Sequence, residues 1–295
     1  MDSFSILDTY DEMLTSVDND PARIQALYET QWNEQVSKAK AKLLDDGSEG
    51  VQPDHILVNL LNDSNYKDPR NNLCVWARPT PAIRSLASKC QDLLQKLSPN
   101  IWLTPQDCLH VTLLVIAESL TPEALAALVR TLPSLHGVTQ FPLDHRARLV
   151  KPRLAFDNAG VALLYVPAAG EIKDGRGTDE GYTYPHLQRD IIKLFREEGV
   201  EVNARHPPTS CHITLARFIT NEDHCSDGKP DHNAMASWVL GIEEINEMLI
   251  KEYWPHEGTA PEAGNWVIGE GRDLDVREGT VWYGGGQSLA VGPAL

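Results

Sequence analysis

CLHVTLLVIA (residues 108–117) and CHITLARFI (residues 211–219) share one unusual phrase, His-apolar-Thr-Leu, set inside a run of apolar, β-forming residues. Such runs read as strands, and residues two apart on a strand project from the same face. His110 therefore points with Thr112, and His212 with Thr214, while Val111 and Ile213 face the opposite layer. The two histidines are 102 residues apart in the chain (110 to 212), so a fold that pairs these strands gathers two imidazoles and two hydroxyls.

Around each motif the same order of elements recurs. Before the first lies a short strand, LCVWAR (73–78), then a helix over 80–97 with Thr80 as cap, Pro81 in its first turn and one apolar stripe from Ile83 to Leu97. After it, Thr121-Pro122 starts a helix expected to reach Leu135, and residues 147–166 read as a hairpin turned at Asp157-Asn158-Ala159-Gly160. Tyr184–Glu198 is a helix stopped by Gly199, leading to the second motif strand; a polar loop (221–230), a helix (234–252) and late strands at 266–268 and 280–283 follow. Helix, motif strand, helix and further strands, taken twice, predict two related α+β lobes and not a parallel sheet built by crossovers. Residues 1–70 read as a helical extension packed on the body, with Asp20-Pro21 opening its longer helix. The main domain then covers 71–295, with 221–264 as an insertion.

The chain has 295 residues, 42% hydrophobic and 23% charged, an ordinary globular composition with ample material for a core. No apolar run approaches the roughly 20 residues a membrane span needs. The start, MDSFSILDTYDEM, is acidic where a signal peptide is basic, so a cytoplasmic or nuclear protein is expected. The five cysteines have no C-x-x-C spacing, which argues against a disulfide framework or a structural zinc site. A net charge of −16 repels long nucleic acid, but leaves a small phosphoester or an RNA end as partner. The oligomeric state stays open.

The paired motifs suit phosphate ester chemistry. Cleaving a cyclic phosphate in line needs a base on the attacking water and an acid on the departing oxygen, and an imidazole near neutral pH can serve as either. The hydroxyls of Thr112 and Thr214 can bind the non-bridging oxygens, where charge builds up. This scheme asks for no metal and no cofactor. A third His-x-Ser, His224-Cys225-Ser226, lies in a polar loop without strand context and is a chance occurrence.

HVTL and HITLAR are close to the two signatures of the 2H phosphoesterase superfamily, which includes 2′-5′ RNA ligase-like proteins and plant cyclic phosphodiesterases. The layout is similar to fungal proteins called RNA ligase/cyclic nucleotide phosphodiesterase-like. The resemblance covers about residues 72–220. It implies a bilobal α+β fold, two antiparallel sheets around a central cleft with outer helices. It also implies metal-independent hydrolysis of a 2′,3′-cyclic phosphate or a related small nucleotide or RNA-end phosphoester. His110 and His212 match the catalytic positions, one as base and one as acid, and Thr112 and Thr214 match the substrate-binding positions. Two other readings stand beside this one: a non-catalytic module binding an AMP-like nucleotide, and an RNA 3′-end trimming exonuclease, which the acidic charge disfavours.

The remaining signals are weaker. Arg217 matches the end of the second signature, yet on a regular strand it faces away from His212. Trp76, Tyr182 and Tyr184 have the chemistry to stack on a base, though core packing is the commoner use. His206 reads as a loop residue, and His224, Cys225 and His232 fit no tight ligand spacing. Gly284-Gly285-Gly286 lacks the helix and lysine of a phosphate loop and reads as a turn or tail.

Overall fold

A computed structural model describes residues 6–171, 181–202, 211–271 and 274–292. The chain opens with three helices, α1 (Ile6–Ser16), α2 (Pro21–Leu44) and α3 (His55–Asn62). Strand β1 (Asn71–Ala77) leads into α4 (Pro81–Leu97), a two-residue β2 (Trp102–Leu103) and the first motif strand, β3 (Val111–Leu120). Helices α5 (Pro122–Arg130) and α6 (His136–Gln140) precede the hairpin β4 (Arg148–Phe156) and β5 (Gly160–Pro167). Helix α7 (Tyr184–Glu197) comes before the second motif strand, β6 (His212–Arg217). A small hairpin, β7 (Cys225–Ser226) and β8 (Lys229–Pro230), is followed by α8 (His232–Tyr253), β9 (Asn265–Val267), β10 (Asp275–Gly279) and β11 (Gln287–Val291).

Local chemistry explains most boundaries. Asp20, Thr80 and Thr121 accept hydrogen bonds from the backbone amides of Arg23, Ile83 and Ala124, and in each case proline occupies the first turn, where its missing N–H costs nothing. Gly199 takes φ +79° just past Glu198, the C-cap of α7, the left-handed stop that glycine adopts freely. Helix α5 ends at Arg130 and not at 135, because Pro133 cannot continue it. The expected strand at 280–283 is instead part of the turn joining β10 to β11, with Gly284 and Gly286 at positive φ.

All pairings in the main sheet are antiparallel, as expected of an α+β chain. Where two sheets around a cleft are expected, nine of the eleven described strands form one, in the order β11-β10-β1-β3-β6-β5-β4-β9, with β2 on β6, and β7 and β8 pair only with each other. Its two halves mirror each other about a narrow seam: β3 and β6 meet through a single registered pair, Val111 with Ile213.

Helix α2 lies across β4 and β5, α8 packs on β4 and on α4, and α1 pairs with α7. The N-terminal helices belong to the core. Tyr10, Leu14, Ile24, Tyr28 and Trp32 are each at most 3% exposed, and burying a large apolar side chain contributes about 1.5–3 kcal/mol. The stretch read as an insertion contributes Trp238 of α8, 1% exposed, to the same core.

Candidate active site

The seam between the half-sheets sets the site. In an antiparallel pair, directly opposed residues lie on one face. Carrying the Val111–Ile213 register one residue either way sets His110 opposite Thr214 and Thr112 opposite His212. The two histidines are then diagonal neighbours, a relation that separates Cα atoms by about 7–8 Å. Val111 and Ile213, both fully buried, anchor the opposite face in the core. All four predicted site residues line one hollow of about 130 Å³. Neither threonine hydroxyl is engaged by another described residue.

Two contacts hold His110. Its ring stacks on Trp76, with centroids 3.6 Å apart and planes 13° from parallel. Nδ1 lies 2.7 Å from the carbonyl oxygen of Cys108, a contact that needs a proton on Nδ1 and leaves the Nε2 lone pair open. Burial pushes the imidazole down to about 3; the Cys108 carbonyl opposes this, while Arg78, His212 and Arg277 add to it.

Behind Trp76 stands a charged frame. The guanidinium carbons of Arg78 and Arg277 lie 4.7 and 4.6 Å from its ring centre, and both arginines pair with Asp275, at 3.1 and 3.5 Å. Arg78 also donates to the carbonyls of Asp107 and Leu109, fixing the turn that delivers His110. Gly284 closes against the same turn, where a Cβ would come within 2.2 Å of the Cys108 Cβ. Alternation is informative here too: Asp275-x-Arg277 share a face of β10, and Arg78 follows β1 two residues after Trp76. Their pairing across about 200 residues is not legible in this way.

His212 is exposed at the rim, on the other motif strand. Arg217 departs from its expected direction. Opposite β5, Ala162 pairs with Thr214 but Val161 pairs with Ala216, so Leu215 is the extra residue of a bulge. One added residue reverses the alternation, and Arg217 lines the same hollow as His212 and Thr214. Its partner there is Gly160, where a Cβ would stand 2.4 Å from the Ala216 carbonyl oxygen, so glycine makes the close approach feasible. Arg217 pairs with Asp54 at 3.3 Å and lies over Tyr283, whose hydroxyl donates to Asp54 at 2.8 Å. Its Nε is buried without a partner.

A second, larger hollow of about 560 Å³ opens from His212, Thr214 and Arg217 and runs between α2 and the β4-β5-β6 surface. Ligand pockets commonly hold 300–1,000 Å³, so the larger space has room for a nucleoside-sized group and the smaller for an anion.

The other sequence candidates fall elsewhere. Trp76 supports His110 from a fully buried position and presents no free face to a base. Tyr184 is fully buried, and Tyr182 packs beside His145 and His186 with its hydroxyl on Asp190. His206 lies outside the described residues. No group of three or more His, Cys, Asp or Glu side chains is arranged to hold a metal among the described residues. No described helix is long and apolar enough to cross a membrane.

His224 is 2% exposed, set edge-on to Phe218 and Trp238, and neither ring nitrogen has a partner. Burial holds its imidazole below the usual value, against the pull of Asp223. Both His110 and His224 are thus depressed in the folded state. As pH falls below about 6.5 the unfolded chain binds protons that the fold refuses, so stability declines by at most roughly 1.4 kcal/mol per pH unit for each such histidine. Thermal denaturation at pH 7.5 and 5.5 should show a lower melting temperature at the acid value, with a smaller drop in His224→Phe. An equal drop in that variant would remove His224 from the account.

No protein-family model matches this chain, and no curated protein matches it.

Proposed function

We propose that the protein is a metal-independent phosphodiesterase that hydrolyses a 2′,3′-cyclic phosphate, on a small nucleotide or an RNA end, by acid–base catalysis between His110 and His212. The observation that carries this reading is the crossed arrangement of two His-Thr pairs on one sheet face, around a hollow sized for an anion. The phosphate sits between the imidazoles, with the hydroxyls of Thr112 and Thr214 on its non-bridging oxygens.

The two histidines differ in setting, and that difference supports one division of roles. His110, with Nδ1–H given to Cys108 and its charge disfavoured by burial, enters neutral and offers Nε2 as a proton acceptor. The phosphate anion bound beside it favours the imidazolium, against the pull of burial, as His110 deprotonates the attacking water. Exposed His212 carries the proton that the departing ribose oxygen takes. Arg217, aimed inward by the bulge, contributes positive charge beside the anion.

The test is turnover of a nucleoside 2′,3′-cyclic phosphate in the presence of EDTA. Steady conversion to a monophosphate is expected. Tight binding of the monophosphate with no turnover would replace this reading with that of a nucleotide-binding module.

A further inference from the structure

The larger hollow carries an inference about what the substrate holds besides its reactive phosphate. One wall is a single face of α2, formed by Tyr28, Gln31, Trp32, Gln35, Lys38 and Lys42, which recur at the three- and four-residue steps of one helix side. The orientation of the helix follows from its ends. Gln25 donates to the carbonyl of Pro167 at the end of β5, while the amide of Gln52, beyond the helix, donates to Asn158 in the β4–β5 turn. Helix α2 therefore runs against β5, in the direction of β6. Its lysines lie toward the Arg217 end of the hollow, and Tyr28 toward the end where Cys211 and His212 stand.

The charges in this wall are unusual for a chain of net charge −16. Lys40, on another side of α2, is closed off by Glu243 at 2.5 Å. Lys42, facing the hollow, makes no ion pair with any described residue, and Lys38 has a single long contact to Glu34 at 3.4 Å, open to solvent. Asp157, the one carboxylate lining the space among the described residues, already accepts from the amides of Ala159 and Gly160. Lys38 and Lys42 thus face the far half of a hollow whose remaining lining there, among the described residues, is mostly aromatic, aliphatic and amide.

We infer that this groove is a second anion subsite: the substrate carries, on the far side of its nucleoside, another phosphate that Lys38 and Lys42 bind. The inference rests on the phosphodiesterase reading for where the first phosphate sits. Two sources share this chemistry. A free nucleotide presents a 5′-phosphate monoester, and an RNA 3′ end presents the next phosphodiester of the strand at the same ribose position.

The experiment is calorimetry of the full chain with adenosine 3′-monophosphate, adenosine 3′,5′-bisphosphate and the dinucleotide ApAp bearing a 3′-phosphate. The wild type should bind at least one of the two-phosphate ligands about tenfold tighter than the 3′-monophosphate, the scale of one good charge-assisted contact. Lys38→Ala/Lys42→Ala should abolish that preference while leaving monophosphate affinity within about twofold. Preference for the bisphosphate names the free nucleotide as source, and preference for ApAp names the RNA end. Equal affinity for all three ligands in the wild type overturns the subsite, as does a preference that survives the double substitution. Neither of those results touches the catalytic reading. Conversely, a lysine-dependent preference without any turnover of a cyclic phosphate upholds the subsite and discards the catalysis.

Discussion

His110→Ala and His212→Ala are each expected to lower kcat/KM for a nucleoside 2′,3′-cyclic phosphate by about a thousandfold, within the range of 10² to 10⁴ that a positioned acid or base supplies. The two losses should not multiply in the double variant, because base and acid act in one concerted transfer and either absence stalls it. The variants should differ in a second respect. His212 is exposed, and its removal should leave the melting temperature nearly unchanged. Removing His110 opens the stacking surface of Trp76, so a modest fall in stability should accompany the lost rate. Wild-type turnover in either variant, measured on folded protein, would end the acid–base assignment.

Asp275→Asn should be the most damaging single change to the fold itself. The Asp275 side chain is fully buried and is the shared counter-charge of Arg78 and Arg277, each about one-eighth exposed. Neutralising it leaves two guanidiniums in a low-dielectric frame without their carboxylate, and breaking a buried pair in this way costs about 3–5 kcal/mol. For a chain of this size that corresponds to a fall in melting temperature of roughly 6–20 °C. The consequence for the site is specific. Arg78 also holds the turn at Asp107 and Leu109, and both arginines lie on Trp76, so the stack that seats His110 loosens with them. Scanning calorimetry settles the matter: a shift below about 2 °C would show that the arginines find other compensation and that the frame is dispensable.

Much of this was legible in the sequence where the determining chemistry is local. Thr80-Pro81, Thr121-Pro122 and Asp20-Pro21 mark helix starts because a cap and its amide lie three residues apart. The facing of His110 with Thr112, and of His212 with Thr214, followed from strand alternation alone. Alternation failed at Arg217, since a single extra residue at Leu215 reverses it, and the glycine that permits the bulge stands 57 positions away at Gly160. The union of both halves into one sheet was hidden for a related reason. It depends on a single contact between Val111 and Ile213, and no property of either strand announces its partner. Helix α2 is legible in its own sequence, but its groove-facing residues acquire meaning from β5 and β6, more than 100 residues on. Composition gave the repulsion of long polyanions, yet a whole-chain charge carries no information on the local sign at Lys38, Lys42 and Arg217.

The most direct measurement is the crystallographic position of the phosphate in a complex with adenosine 3′-monophosphate. The phosphate should sit over the β3–β6 seam, within about 2.6–3.2 Å of Nε2 of His110 and a ring nitrogen of His212, with both threonine hydroxyls on its oxygens. A well-ordered nucleotide whose phosphate lies elsewhere, leaving the space between the two imidazoles to water, would contradict the account.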